Sequence, residues 1–368
     1  MHEYFRQLSD FTKDVYDFLD IPMNAKKRKN WRNWDNDSGP EGFLYHYTAS
    51  NAAVTNDRPL GRIPYMLERF AINSGSPGVH FIVWDCKMPQ FEEIRAKYPV
   101  FEILDADIFF YGLERAYYHG NSANGFAVGM EIRNVGKLKK VNGKFFWHGG
   151  KAPYVGRPPV NVRGVWCEPY TLPQVKAAIL MLRWLRNIYE IKPHKVLGHL
   201  HITSNRTDPM PHFPLAMIRK ACFQDRNVPL DSDHFKWFDE FELQEDRGFF
   251  FRYDDWLEKL ITEDVDEESL FAREDRPPMG FDDADGIYGN DGIVSAGDLE
   301  EAMNALEQIG YYPSGSQEDI TWTVKQFQNR WVKKKGNRWV NTMKITGEVD
   351  KATIKNLNTM LKQLRFIQ

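Results

Sequence analysis

Cysteine is scarce in this chain, and so are long apolar runs and an excess of either charge. Only 3 of the 368 residues are cysteine. Cys86, Cys167 and Cys222 lack the short spacings of a metal knuckle and the density of a disulfide scaffold. We therefore expect three reduced thiols in a chain made in a reducing compartment.

The charge balance excludes a second class of protein. Lys and Arg number 48 against 51 Asp and Glu, which gives a formal net charge of -3. A protein that coats nucleic acid needs a strong excess of cations, so we predict no nucleic-acid partner. The basic cluster from Lys26 to Arg32 is interpreted as a solvated face.

No apolar run is long enough to cross a membrane. The longest, Ala177 to Leu185, is interrupted by Arg183 and falls short of the roughly 20 residues that a span requires. Met1 to Asp20 mixes charged and apolar residues, which is not the pattern of a Sec signal peptide. We predict no membrane span and no Sec-type export.

The length and the apolar content predict two packed domains. Hydrophobic residues make up 42% of the chain and aromatic residues 14%, which supplies ample core. We predict an N-terminal extension over residues 1–40 and a larger domain over 41–225. A connector over 226–280, rich in Asp, Glu and aromatic residues, then leads to a small module over 281–368.

The larger domain is predicted to be α/β, with a mixed central sheet flanked by helices. Short β-rich runs bounded by turn residues lie at 43–47, 79–83, 127–132 and 195–197. A helix is predicted to begin at Thr171 as N-cap, because apolar residues then recur at helical spacing. Strands that alternate with helices favour a covered sheet.

The C-terminal module is predicted to contain three helices. Apolar stripes start near Leu299 and near Val324, and a third helix is expected after Asp350 as N-cap.

Three residues near strand ends suggest a metal site. His46 closes one apolar run, His199 follows another, and Asp208 comes nine residues after His199. Two imidazoles and a carboxylate form a three-ligand zinc site with a fourth position left for water. An open position of that kind is what metal-assisted hydrolysis needs.

The strings around these residues resemble a known family in three places and in order. They are Phe43 to Ser50, Ala127 to Ile132, and Gly198 to Pro214. They are similar to motifs of the type 2 N-acetylmuramoyl-L-alanine amidases, a superfamily that includes phage amidases and the peptidoglycan recognition proteins. The resemblance covers roughly Gly42 to Cys222.

This resemblance implies roles for individual residues. His46, His199 and Asp208 correspond to the zinc ligands, and Glu131 corresponds to the catalytic acid. Arg206 stands where many members have Lys, and it would stabilise the oxyanion. His119 would line the substrate cleft.

Two departures leave questions open. Val79-His80 lacks a tyrosine that some phage-type members have, which makes Glu131 the expected main base. His201 stands where a carboxylate often follows the second ligand, so its relation to the metal is left open.

The module resembles a three-helix peptidoglycan-binding domain through Leu306 to Tyr312, Thr323 to Gln328 and Gly347 to Leu357. The usual Asp-Gly turn before its second helix is replaced here by Gln317 to Ile320. The module would tether the enzyme to the wall, or alternatively pack on the catalytic domain.

The sequence therefore predicts a monomeric zinc amidase whose partner is peptidoglycan and which cleaves between N-acetylmuramic acid and L-alanine. The alternatives are a non-catalytic peptidoglycan receptor and a zinc peptidase that cuts the stem peptide. Without a Sec signal, we expect synthesis in the cytoplasm and action on the wall after lysis, in a phage particle or through a secretion machine.

Overall fold

The structure is a computed structural model, and it describes residues 3–21, 39–49, 66–67, 79–113, 123–147, 152–162, 164–204, 206–209, 213–223, 299–335 and 338–364. Three features of the sequence analysis lie outside these residues: His119, the basic cluster at 26–32, and the connector at 226–280.

The central sheet has five strands in the order β10-β1-β4-β2-β3. The first four are mutually parallel, and β3 is antiparallel to β2. Their bounds are β1 Gly42–Tyr47, β2 Phe81–Val83, β3 Ile108–Phe110, β4 Ala127–Ile132 and β10 Val196–Gly198. This confirms the predicted mixed sheet.

One face of the sheet is covered by helix α2, Leu172–Ile188. Thr171 caps it as predicted, because its side chain accepts a hydrogen bond from the Gln174 backbone and the Gln174 side chain accepts one from the Thr171 backbone. The Tyr45 hydroxyl of β1 donates to the Ala178 carbonyl at 3.1 Å. Helix α3, Leu215–Phe223, packs beside α2.

Helix α1, Glu3–Phe18, lies within the predicted N-terminal extension and packs its buried face against the larger domain. Its buried residues face the edge strand β3 and α2, with the Phe5 ring 5.4 Å from Phe110 and 6.1 Å from Trp184. A one-turn helix at Glu92–Arg95 lies in the connection from β2 to β3 and also packs against α1.

A second sheet, which the sequence analysis did not predict, follows β4. Its order is β7-β6-β5-β9-β8, and its described pairings are antiparallel. The strands are β5 Lys137–Val141, β6 Lys144–Trp147, β7 Ala152–Pro153, β8 Val160–Val162 and β9 Val165–Cys167. Leu138 and Trp147 form its small separate apolar cluster.

The C-terminal module contains the three predicted helices, α4 Leu299–Gln308, α5 Gln317–Asn329 and α6 Lys351–Gln363. A hairpin of β11 Val332–Lys335 and β12 Arg338–Asn341 lies between α5 and α6. Asp350 caps α6 as predicted, since its side chain accepts from the Thr353 backbone at 2.7 Å.

The module packs on the α/β domain, which is the alternative to a free tether. Leu306, Tyr311 and Phe327 belong to the same continuous apolar core as the central sheet. His194 lies in this interface, with its ring 5.0 Å from that of Trp322. His194 is only 4% exposed and is therefore part of the packed interface.

None of the described helices is long and apolar enough to cross a bilayer. Cys86, Cys167 and Cys222 are all free thiols, as expected.

Candidate metal centre

The predicted ligands meet at the carboxyl ends of the parallel strands. His46 is the fifth residue of β1, and His199 follows the last residue of β10. The third residue, Asp208, lies on the loop that leads from the His199 turn toward α3. Ligand sites in α/β sheets commonly form beyond the carboxyl ends of strands, because the connecting loops converge there.

The three side chains converge closely enough to share one ion. The Nδ1 atoms of His46 and His199 are 3.0 Å apart, and His199 Nδ1 is 3.0 Å from Asp208 Oδ2. The third distance, from His46 Nδ1 to Asp208 Oδ2, is 3.3 Å. Ligand atoms around a tetrahedral ion, with bonds of about 2.0–2.2 Å, lie roughly 3.3–3.5 Å apart. The donor set and its spacing therefore fit a divalent metal.

The protonation states also suit a cation. Burial and the neighbouring His199 together lower the pKa of His46 to about 4, against the opposing effect of Asp208, so His46 is neutral near pH 7. Burial alone raises the pKa of Asp208, but the interactions with His199 and His46 outweigh it and hold that pKa below its ordinary value. A neutral imidazole and a carboxylate are the forms that bind metals.

Glycine before His199 allows the loop of Asp208 to approach. A Cβ added to Gly198 would lie 2.4 Å from Pro209 Cδ, which no side chain tolerates. The Leu200 backbone N–H then donates to the Asp208 carbonyl at 2.8 Å, which ties the two ligand segments together. Close packing of the Asp208 loop therefore requires glycine directly before His199.

Glu131 lies beside the ligands in the sheet. In the parallel pairing of β4 with β1 it stands opposite His46, and on the other side it stands opposite Ile82. Residues paired across neighbouring strands project to the same face, so the Glu131 carboxylate and the His46 imidazole share one face. Glu131 is 8% exposed, which places an ionisable group in a largely buried setting at the site.

Arg206 is exposed, two residues before Asp208 on the same loop. The positive charge of Arg206 contributes to lowering the pKa of His46. The exposed position of Arg206 at the rim leaves its guanidinium free of covering side chains on the solvent side.

His201 is turned away from the metal ligands, which answers the question left open above. Its Nε2 lies 2.7 Å from the Ile309 carbonyl in the C-terminal module, and its Nδ1 lies 2.8 Å from the Gly198 backbone nitrogen. Burial lowers its pKa to about 3, so it is neutral. His201 therefore connects the two domains.

A buried ionic network beside Glu131 was not predicted. Arg133 Nη1 donates to Glu168 Oε1 at 2.6 Å, and Glu168 Oε2 accepts the Val135 backbone N–H at 2.7 Å. Asp85 lies 3.5 Å from the same guanidinium. Arg133, a charged residue directly after the apolar strand β4, was the one signal in the sequence that could have indicated this network. The network anchors the second sheet to the end of β4.

The structure thus shows an α/β domain with a candidate metal site at the carboxyl ends of its parallel strands. A comparison with known families matches the same region. Residues 36–211 match the family of N-acetylmuramoyl-L-alanine amidases, Amidase_2. This range contains His46, Glu131, His199 and Asp208 together. Residues 36–211 thus match the family that the motifs predict, and the match supports N-acetylmuramoyl-L-alanine amidase activity.

Among curated proteins, a search found no match to this chain. Solved structures similar to it include AmpDH3 from Pseudomonas aeruginosa, at 14% identity over 93% of this chain and 98% of that chain, with a TM-score of 0.35. Another is AmiD from E. coli in complex with the substrate anhydro-N-acetylmuramic acid-L-Ala-D-gamma-Glu-L-Lys. It is 15% identical over 93% of this chain and 94% of that chain, with a TM-score of 0.36.

A mutant endolysin from Bacillus subtilis is 16% identical over 49% of this chain and 80% of that chain, with a TM-score of 0.27. TM-scores of this size do not establish a shared fold, so the family match carries the assignment.

Proposed function

We propose that this amidase is zinc-dependent and hydrolyses the amide between the lactyl group of N-acetylmuramic acid and the L-alanine of the peptidoglycan stem peptide. The observation that carries the proposal is the convergence of His46 Nδ1, His199 Nδ1 and Asp208 Oδ2 within 3.0 to 3.3 Å of one another. Two nitrogens and one oxygen are a donor set that zinc accepts in catalytic sites.

His46, His199 and Asp208 would hold the zinc ion, which would supply a Lewis acid for the amide carbonyl and for the attacking water. The protein supplies the proton transfers. Glu131 removes a proton from the attacking water and returns it to the nitrogen of the leaving L-alanine. Its place opposite His46 in the sheet supports this role, because both side chains project to one face.

The exposed guanidinium of Arg206 is proposed to stabilise the negative charge that develops on the carbonyl oxygen. Its position on the Asp208 loop and its electrostatic influence on His46 support this role. The Arg side chain offers a planar fork of donors, whereas the Lys found in many relatives offers a point charge.

Product analysis tests the reaction. The full-length protein is incubated with purified sacculi and with a defined soluble muropeptide, and the products are identified by mass spectrometry. The proposal predicts intact stem peptides with a free L-alanine amine, together with peptide-free glycan. Peptides cut internally would identify a peptidase, and no release at all would identify a receptor.

The C-terminal module is proposed to bind the wall while packed on the catalytic domain. Its hairpin carries the exposed residues Lys333 and Lys335, which favour contact with anionic peptidoglycan. Replacing both with Glu should reduce cosedimentation with sacculi and activity on sacculi, while activity on a soluble muropeptide stays near wild type. The exposed pair Glu300 and Glu301 on α4, changed to Gln, serves as the control. If the variant cosediments with sacculi as completely as the wild type does, the hairpin lysines do not bind the wall.

Delivery to the wall through lysis, a phage particle or a secretion machine remains our proposal for localisation. Secretion into medium of a Sec-competent host without any added signal would contradict it.

A further inference from the structure

The turn that carries His199 is held by the C-terminal module on the side away from the other ligands. This turn, His199–His201, is a short 3-10 segment after β10. The imidazole of His199 meets His46 and Asp208, whereas the carbonyl groups of the next two residues accept hydrogen bonds from module side chains.

Arg330 makes the first of these contacts. Its Nε donates to the Leu200 carbonyl at 2.9 Å, and the Leu200 N–H donates in turn to the Asp208 carbonyl at 2.8 Å. The Arg330 backbone carbonyl accepts the Ser204 N–H at 2.8 Å. Arg330 is only 2% exposed, so its hydrogen bond to the Leu200 carbonyl is shielded from water. Arg330 thus contacts the segment after His199 at two residues, Leu200 within the turn and Ser204 beyond it.

Tyr311 makes the second contact. Its hydroxyl donates to the His201 carbonyl at 2.9 Å, and His201 Nε2 donates back to the Ile309 carbonyl at 2.7 Å. The Gly198 N–H reaches His201 Nδ1 at 2.8 Å, which makes Nδ1 the acceptor and leaves the proton on Nε2. His201 therefore joins the strand end, the turn and the module in one hydrogen-bond chain.

The catalytic domain holds the module in return. Arg219 on α3 donates to the Tyr311 carbonyl at 3.1 Å and also to the Gly310 carbonyl. Gly310 has a φ of +93°, and a Cβ added there would lie 2.9 Å from His201 Nε2. The interface thus has no room for a side chain at position 310, and the backbone of Gly310 packs directly against His201.

We propose that Arg330 and Tyr311 are positioning residues of the metal centre, and that the C-terminal module is a structural part of that centre. By fixing the Leu200 and His201 carbonyls they set the orientation of the backbone that presents His199 to His46 and Asp208. Groups that orient a ligand contribute to metal affinity without touching the metal. This inference rests on the proposed metal-dependent function.

The test is the zinc dissociation constant of the full-length chain, measured by competition with a chromophoric chelator. Arg330→Gln should weaken zinc binding by about 10- to 100-fold, the range for residues that support ligands. Tyr311→Phe removes one hydroxyl and keeps the packed ring, and it should weaken binding several-fold.

Trp322→Leu is the matched control. Trp322 belongs to the same interface, but its ring packs on Phe126 and His194, at 5.6 and 5.0 Å. This variant should lower the melting temperature and leave the zinc dissociation constant within about twofold, since the hydrogen bonds to the turn persist.

Failure of the positioning role and failure of the proposed zinc-dependent function would give different results. Wild-type affinity in Tyr311→Phe and in a folded Arg330→Gln would overturn the positioning role, and so would an equal loss in Trp322→Leu. If Arg330→Gln fails to fold, Tyr311→Phe decides. A wild-type protein that binds no zinc would contradict the proposed function instead.

Discussion

Glu131 stands directly opposite His46 in the parallel pairing of β4 with β1. The sheet thereby places a carboxylate next to the imidazole of a proposed metal ligand, with both side chains on neighbouring strands. Groups held on paired strands keep their relative position more precisely than groups held on loops. The register of β1 and β4 thus places the proposed metal ligand, His46, beside the proposed base, Glu131.

Replacing Glu131 with Gln tests whether Glu131 acts as the base and not as a metal ligand. The variant should keep zinc at the wild-type stoichiometry, because the amide has nearly the same shape and Glu131 is not a proposed ligand. Its turnover of a soluble muropeptide should fall by about 10²- to 10⁴-fold, the scale for loss of a general base. Metal analysis and steady-state kinetics measure the two effects. Nearly unchanged turnover would place the base elsewhere.

Arg206 is tested by two substitutions that differ in charge. Arg206→Ala should lower kcat by roughly 10²-fold or more, whereas Arg206→Lys should retain substantial activity, because the ammonium restores the positive charge. Kinetics on the same muropeptide compare them. Equal and mild losses in both variants would reduce Arg206 to an ordinary surface residue.

The buried pair of Glu168 and Arg133 should matter for stability. Glu168→Ala leaves the Arg133 guanidinium, 2% exposed, without its nearest carboxylate, and the free energy of unfolding should fall by about 3–5 kcal/mol. The control is Lys97→Ala, since Lys97 pairs with Asp14 at the surface and its loss should cost less than about 1 kcal/mol. Urea denaturation measures both. A similar small change in the two variants would contradict the account of the network.

The interface between the domains should weaken in acid. Burial lowers the pKa of His194 to about 4, below the ordinary value of about 6.5 in an unfolded chain. The unfolded state therefore binds the proton more readily, so the stability contributed by neutral His194 is complete above pH 6.5 and is lost as the pH falls toward 4.

His194→Gln should accordingly show a smaller drop in melting temperature between pH 7.5 and pH 5 than the wild type. Both proteins are compared after chelation, so that release of metal from His46 and His199 does not contribute. An identical pH dependence in the two proteins would show that His194 does not titrate as described. His46 and His201 have the same direction of shift, so some dependence should remain.

Local signals in the sequence were sufficient for the main sheet and for the convergence of His46, His199 and Asp208. The strand of His46 and the Thr171 cap depend on residues adjacent in the chain, and the motifs around His46 and His199 carry the family likeness. Helix α1 was missed although Phe5, Leu8 and Phe11 recur at helical spacing, because the surrounding charged residues obscured the stripe.

Other features had no readable signal. The strands of the second sheet are two to five residues long, and β5 reads Lys-Leu-Lys-Lys-Val, which is not a typical strand pattern. The contacts of Arg330 and Tyr311 are made with backbone carbonyls. Every residue has a carbonyl, so residue types cannot reveal which one is bound, and the docking of the module could be found only in the structure.

The central claim is that His46, His199 and Asp208 hold one zinc ion that the reaction requires. The most direct test is a zinc titration of the chelated full-length protein, followed by activity on a defined muropeptide, with Asp208→Asn beside the wild type. Removing a ligand charge should weaken zinc binding strongly. Wild-type activity should be absent without metal and should rise to a plateau at one equivalent of zinc, while the variant should fail to recover. Full amidase activity in the metal-free wild type, or stoichiometric zinc and full activity in Asp208→Asn, would contradict it.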